Sequence, residues 1–444
     1  MPRLTVPPNF IGTSGVDTLA AQDLNVSGAI GIDILNPGMI STFSGNDSIT
    51  GTGTVNLKTD SGNDSITGTS TGIVILKPIK LSGGTGIGIN NSGTLNTGSG
   101  GDTITGTGTG GNGGKNFFAS FGYSIPPGSI PNDVLVFDLN PGRNGVKGGT
   151  GTGISNSGSF DAGDGNDTIT GTGTGGTGGE ASFKYPLINS TIYRDGLVIL
   201  ESRRLDETRG ESGAGGTGIG ISNSDKLNTG KGEDTLIGTG TTGRNNEIGT
   251  KSSIGGTGIG IQNIKKAIIT TGENNDTIKG SAKSLEANTL AYGIFNDGII
   301  DTGNGYDILT GQATNTIGGT AYGIYGQGII RTGDGNDKVI ASSNINKVQQ
   351  KVTIGGGIRF ELGTGNDYFK GFGSAIVDGG KGFDTLDVST FKRSEVSVSG
   401  VISGKSLNPA NITFNNNGNL ITLSTTGFEN FIFADSSFSY SRLT

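Results

Sequence analysis

One aspartate setting recurs eleven times in this chain, and the recurrence limits what the chain can fold into. The copies centre on Asp17, Asp47, Asp64, Asp102, Asp167, Asp234, Asp276, Asp307, Asp337, Asp367 and Asp384. Two residues after every anchor stands an apolar side chain, such as Ile278, Leu309 or Val339. Seven residues before every anchor stands another, such as Ile269, Ile300 or Ile330. Two residues before, ten of the eleven have glycine and the other has Asn274. Both residue types accept positive φ, so the position predicts a tight turn throughout. The anchors are spaced by 30, 17, 38, 65, 67, 42, 31, 30, 30 and 17 residues, which makes the base unit 30 residues long, as between Asp307 and Asp337. A repeat of this length reads as a solenoid, in which each coil buries a few apolar residues against its neighbours.

That reading accounts for a composition that would otherwise suggest a low-complexity chain, with 87 glycines and 31% apolar residues. A formal charge of −7 and a pI near 4.8 argue against an electrostatic nucleic-acid binder. Cysteine is absent, so neither disulfides nor thiolate metal sites are available, and the lack of histidine narrows the options for general-base catalysis. The amino-terminal residues carry no apolar signal run, and no stretch approaches the ~20 apolar residues of a membrane span.

Inside one unit, Ala321–Tyr325, Ile329–Arg331 and Lys338–Ile340 read as short strands separated by glycine turns. An apolar residue thirteen before the anchor (Leu4, Ile34, Ile89, Ile154, Ile221, Ile294, Ile324, Ile354) marks an additional strand in the long coils. The 17-residue coils ending at Asp64 and Asp384 lack it, and a two-stranded cross-section is expected there. The expected fold is therefore all-β, a parallel β-solenoid of eleven coils over residues 1–390. The 65- and 67-residue spacings imply β-rich insertions at 115–147 and 180–211, the second with an Asp195-Gly196 hairpin turn between two apolar runs. Insertions on a rigid scaffold are where contacts tend to form, and these two are expected to carry them or to cover one side of the solenoid. Residues 391–444 leave the repeat and read as a β cap on its open edge.

The loops carry the chemistry. Calcium takes six to eight oxygens at ~2.3–2.6 Å from carboxylates and carbonyls. Stacked strands lie ~4.8 Å apart, so an ion between two loops would reach both. The expected ligands are Asp47, Asp64, Asp102, Asp167, Asp234, Asp276, Asp307, Asp337, Asp367 and Asp384. Backbone carbonyls near Gly333, Gly335, Gly363, Gly365, Gly380 and Gly382 would join them. The alternative is an aspartate that only hydrogen-bonds its own turn.

Gly379-Gly380-Lys381-Gly382-Phe383-Asp384-Thr385-Leu386-Asp387 resembles the calcium-binding nonapeptide of RTX, or hemolysin-type, secreted bacterial proteins. In the other copies the leading glycine is usually threonine (Thr97, Thr229, Thr271, Thr302, Thr332), and one loop per coil replaces the family's paired nonapeptides. The longer unit, and the Gly427-Phe428-Glu429-Asn430-Phe431 tail, are similar to cyanobacterial members. The resemblance implies type I export through an uncleaved carboxy-terminal signal and folding outside the cell, where calcium is plentiful.

Function then divides into classes. The leading expectation is a secreted structural protein that self-associates into a filament, surface layer, sheath or matrix, because the repeat fills nearly the whole chain. The alternative is an adhesin for polysaccharide or a cell surface, with Tyr185, Tyr193, Tyr292, Tyr322 and Tyr325 as candidate contacts. Ice binding has one supporting copy, Gly363-Thr364-Gly365-Asn366-Asp367. An enzyme is not expected, since no position breaks the repeat to present a separate acid/base pair.

Overall fold

The computed structural model describes residues 83–113, 145–181, 211–246, 254–401 and 409–443 in full. It adds, as backbone strands only, Asn9–Ile11, Thr18–Ala21, Ile30–Ile34, Met39–Ser41, Ser48–Gly51, Leu57–Lys58, Ser65–Thr71, Phe183–Lys184, Leu187–Arg194, Leu197–Arg204 and Thr208–Arg209. The expected side chains of Asp47 and Asp64, and the aromatic residues of the first insertion, lie outside the described residues.

Strands from successive coils stack in parallel into three sheets; among the described strands, and counting the antiparallel strands that join them, two sheets hold fourteen and one holds eight. The residue seven before each anchor enters the first sheet, A, in the register Ile269↔Ile300↔Ile330↔Phe360↔Val377. The residue two after enters sheet B, where Ile278, Leu309, Val339, Phe369 and Leu386 lie in line. Sheet C receives Ile261, Ile294, Ile324 and Ile354. All of these side chains have 0% exposure and belong to one continuous core between the sheets. Burying each contributes roughly 1.5–3 kcal/mol. The spacing rules at −13, −7 and +2 are thus the three walls of one coil.

The 17-residue coils lack a strand in sheet C, as expected. Ile30–Ile34 pairs directly with Gly86–Asn91, passing over the coil of Asp64. At the other end sheet C stops at Ile354–Gly355. The coil of Asp276 keeps its third wall despite having Asn263 at the −13 place. Its corner between Asn263 and Ile268 is two residues longer than the one between Asn223 and Lys226, so Ile261 takes the inward position opposite Ile221. Lys266 accommodates that corner at φ 74.

A buried asparagine ladder runs along the corner between sheets C and A. Asn91 Nδ2 donates to Asn156 Oδ1, Asn156 to Asn223, Asn223 to Asn263 and Asn263 to Asn296, at 2.7–2.9 Å. At the opposite edge of sheet C, between it and sheet B, stands a layer with no side-chain core. Residues 110–113, 175–180 and 242–246 leave sheet B, and 83–85, 145–150 and 211–217 lead into sheet C. Neighbouring segments of the two rows are tied by Gly111 N–H to Gly84 O, Gly149 to Gly111, Gly176 to Gly149, Gly216 to Gly176 and Gly243 to Gly216. Within a row the donors recur every third residue, as at Gly145, Gly148 and Gly151. A three-residue period with every bond made to another segment is polyproline-II-like packing. A Cβ on Gly149 would sit 2.0 Å from Gly84 O, so only glycine fits between the rows.

In the second insertion Leu187–Arg194 and Leu197–Arg204 pair antiparallel, with Arg194 opposite Leu197, which is the hairpin expected at Asp195-Gly196. Past Asp387 the chain extends two sheets once more and then reverses. Asn419–Thr426 joins sheet A in parallel and carries the antiparallel strands Ala410–Asn416 and Ser397–Ser399. Phe428–Ile432 joins sheet B and carries Ser437–Ser439. Phe391, Phe428 and Phe431 fill the interior behind these strands.

Candidate metal centre

Each Gly-x-Gly turn swings the chain from sheet A to sheet B and points its anchor aspartate inward. The turns need positive φ: Gly333 has 85° and Gly335 142°, Gly363 105° and Gly365 139°, Gly380 94° and Gly382 140°. Asn274, the exception in the sequence, adopts φ 84 as expected. Adjacent turns rest directly on each other. Gly335 N–H donates to Thr364 O at 2.7 Å, and Thr364 N–H to Gly333 O at 2.9 Å. Lys381 N–H donates to Gly363 O at 2.8 Å in the same pattern.

The result is a column of carboxyls. Asp102, Asp167, Asp234, Asp276, Asp307, Asp337, Asp367 and Asp384 are 0–2% exposed. In each neighbouring pair, the backbone N–H of one anchor donates to Oδ1 of the next. The bonds run from Asp102 to Asp167, Asp167 to Asp234, Asp234 to Asp276, Asp276 to Asp307, Asp307 to Asp337, Asp337 to Asp367 and Asp367 to Asp384, at 2.7–2.9 Å. The aspartate therefore bonds the adjacent coil, where the bland reading had it bonding its own turn. The column ends on a residue that the repeat analysis passed over: Asp384 N–H donates to Glu429 Oε2 at 2.7 Å. The signal for it was in the sequence. Gly427 stands two before Glu429 and Phe431 two after, which matches the anchor at −2 and +2 with glutamate in place of aspartate, although Thr422 stands at −7 where the anchors have an apolar residue.

The second carboxyl oxygen, Oδ2, has no hydrogen-bond partner at Asp167, Asp234, Asp276, Asp307, Asp337, Asp367 or Asp384. Burial pushes the carboxyls of Asp167, Asp276, Asp337 and Asp384 up to about 7 and that of Asp367 to about 6, and it raises Asp234 and Asp307 in the same direction. The amide from the preceding anchor pulls each one back, and neighbouring carboxyls such as Asp307 and Asp234 beside Asp276 add to the rise. Threonine hydroxyls five residues earlier oppose it at Asp234, Asp276, Asp307 and Asp337.

A file of buried carboxyls one strand spacing apart must be neutralised, by protons or by cations. The donor set fits calcium: hard carboxylate oxygens, one unpartnered per coil, beside backbone carbonyls. The first-glycine carbonyls of the turns, such as Gly333 O and Gly363 O, already accept amide hydrogens from the adjacent turn, and the Oδ2 row offers free coordinating capacity in every one of these seven coils. Among the described residues no three acidic side chains converge as a ready-made cluster, so a cation here would draw on carbonyl oxygens as well. No protein-family model matches the chain, and no curated protein matches it either.

Proposed function

We propose that this chain is a calcium-stabilised structural solenoid of the RTX, hemolysin-like kind, secreted and folded outside the cell, which self-associates into a filament, surface layer, sheath or matrix. The observation that carries the reading is the column of buried aspartates with an unpartnered oxygen in each of seven coils. When bound, calcium supplies the positive charge that such a file lacks. This chain's own residues hold the place ready: the turn glycines aim the carboxyls inward, and the anchor amides fix Oδ1 and leave Oδ2 free. Metal binding of this kind contributes directly to folding and makes folding wait for a calcium-rich compartment.

A second reading has its own observation. Tyr292, Phe295, Tyr322 and Tyr325 form a half-buried aromatic patch on the outer side of sheet C, with the Tyr292 and Tyr322 rings parallel within 6° at 6.3 Å. Stacked rings with hydroxyls suit a sugar face, which supports an adhesin for polysaccharide.

Negative-stain electron microscopy of the purified protein, in millimolar calcium and in chelator, decides between them. Regular filaments or sheets that form only with calcium are the expected result. Isolated rods in calcium would sink the assembly reading and put polysaccharide binding, measured on a glycan array, in its place.

A further inference from the structure

Among the described coils, the last differs at the place five before its anchor. Five residues before the anchor, the described coils place Thr97, Ala162, Thr229, Thr271, Thr302, Thr332 or Leu362, whereas before Asp384 they place Gly379. A Cβ on Gly379 would lie 2.7 Å from the carbonyl oxygen of Gly427 and 2.8 Å from Oδ2 of Asp384. Both oxygens therefore face the small space that the missing methyl leaves open. Asp384 is 0% exposed, and that Oδ2 has no hydrogen-bond partner. Gly427 reaches the spot at φ 76, packed against Gly380 N.

Glu429 completes the surroundings. It takes the Asp384 amide hydrogen on Oε2, the role that the next aspartate's Oδ1 plays in each described coil from Asp102 to Asp367. Glutamate is one methylene longer than aspartate, and the strand pairing compensates. Asp384 lies opposite Phe428 and Thr385 opposite Asn430, so Glu429 is an extra residue bulged from the ladder. Asp378 adds negative potential at Asp384, although its own Oδ1 is occupied by the Thr426 hydroxyl. Among the described ion pairs, neither Asp384 nor Glu429 is matched with a lysine or arginine.

We propose that Asp384, Glu429 and the Gly427 carbonyl form a terminal calcium site that joins the last coil to the C-terminal strands. It rests on the calcium reading of the column, but it makes a separate claim: here the second acid comes from outside the repeat. Two carboxylates, a carbonyl and an unfilled space are what a hard divalent cation selects. The ion would hold Phe428–Ile432 against Asp384–Asp387 at the point where the pairing is irregular.

The test uses the full chain. Calcium stoichiometry is measured by calorimetry, and calcium-dependent protection of residues 428–439 by hydrogen exchange, for the wild type, Glu429→Gln, Gly379→Ala and a mid-column control, Asp307→Asn. Glu429→Gln keeps an acceptor for the Asp384 amide and removes the charge; Gly379→Ala fills the space. Both are expected to weaken one site by at least about tenfold and to abolish the calcium-dependent protection of 428–439. Asp307→Asn should leave that protection intact. Unchanged stoichiometry and protection in both Glu429→Gln and Gly379→Ala overturn the terminal site while leaving the column standing. A wild type that binds no calcium overturns the column and the terminal site together. If Glu429→Gln does not fold, Gly379→Ala carries the comparison alone.

Discussion

Gly335 shows how little freedom a single position has in this chain. Its φ is 142°, and a Cβ there would fall 1.6 Å from Gly305 O. Gly357 also has a positive φ, 85°, in the milder left-handed range, and nothing within 4 Å of its missing Cβ. Alanine at Gly357 therefore meets backbone strain alone, about 1–2 kcal/mol. Alanine at Gly335 meets that strain and a collision with the adjacent coil, and should be the more destabilising by at least about 1–3 kcal/mol in urea titrations. Equal losses would mean that the turns do not rest on each other. At the same scale the aspartate column makes stability depend on pH. These carboxyls sit above their ordinary value of 3.8, at about 7 for Asp167, Asp276, Asp337 and Asp384. The folded chain then binds more protons than the unfolded one between those limits, so in chelator the urea midpoint should fall as pH rises from about 4 to 7. On the calcium reading proposed above, the ion takes the deprotonated column, so in millimolar calcium the midpoint should hold or rise over the same window. A midpoint insensitive to pH in chelator would mean that the carboxyls are not buried together.

At the scale of the strand and the corner, the sequence was legible where side chains alternate and silent where they do not. The −13, −7 and +2 positions foretold three walls because an inward apolar residue is needed once per wall per coil. The missing third strand of the 17-residue coils followed from the same rule. The −13 rule shifts twice: two extra corner residues put Asn263 there and Ile261 in the inward place, and Ile34 lies opposite Asn91 while Ile32 lies opposite Ile89. The glycine layer left no apolar signature at all. Its order lies in which amides bond which carbonyls, and a run such as Gly173–Gly179 looks like any flexible linker until its partners are known. Glu429 escapes the repeat pattern because it is a glutamate with Thr422, not an apolar residue, seven places before it. The asparagine ladder is the most exacting of these elements. Asn223 Oδ1 accepts from Asn156, while its Nδ2 donates to Asn263 Oδ1 and to the Ile268 carbonyl. Asn223→Ala leaves buried partners unmatched in the coils on both sides, and should lower stability by about 1–3 kcal/mol with an unchanged dependence on denaturant. A loss within error would show that the ladder contributes register and little energy.

For the whole molecule, the decisive property is that the parallel ladders of sheets A and B bond each coil only to the coil before it and the coil after. Sheets A and B take a strand from every coil, the aspartate column passes one hydrogen bond at a time, and the C-terminal end is finished by strands that turn back on themselves. Nothing in such a body refers to its total size. Each coil adds one strand spacing, ~4.8 Å, whatever its place in the row. Duplicating or deleting a 30-residue stretch of the gene, such as that from Asp307 to Asp337, changes the reach of the protein by one step and leaves every surviving interface as it was. The molecule is in this sense a ruler whose graduations are written as copies, and its length is open to selection one notch at a time.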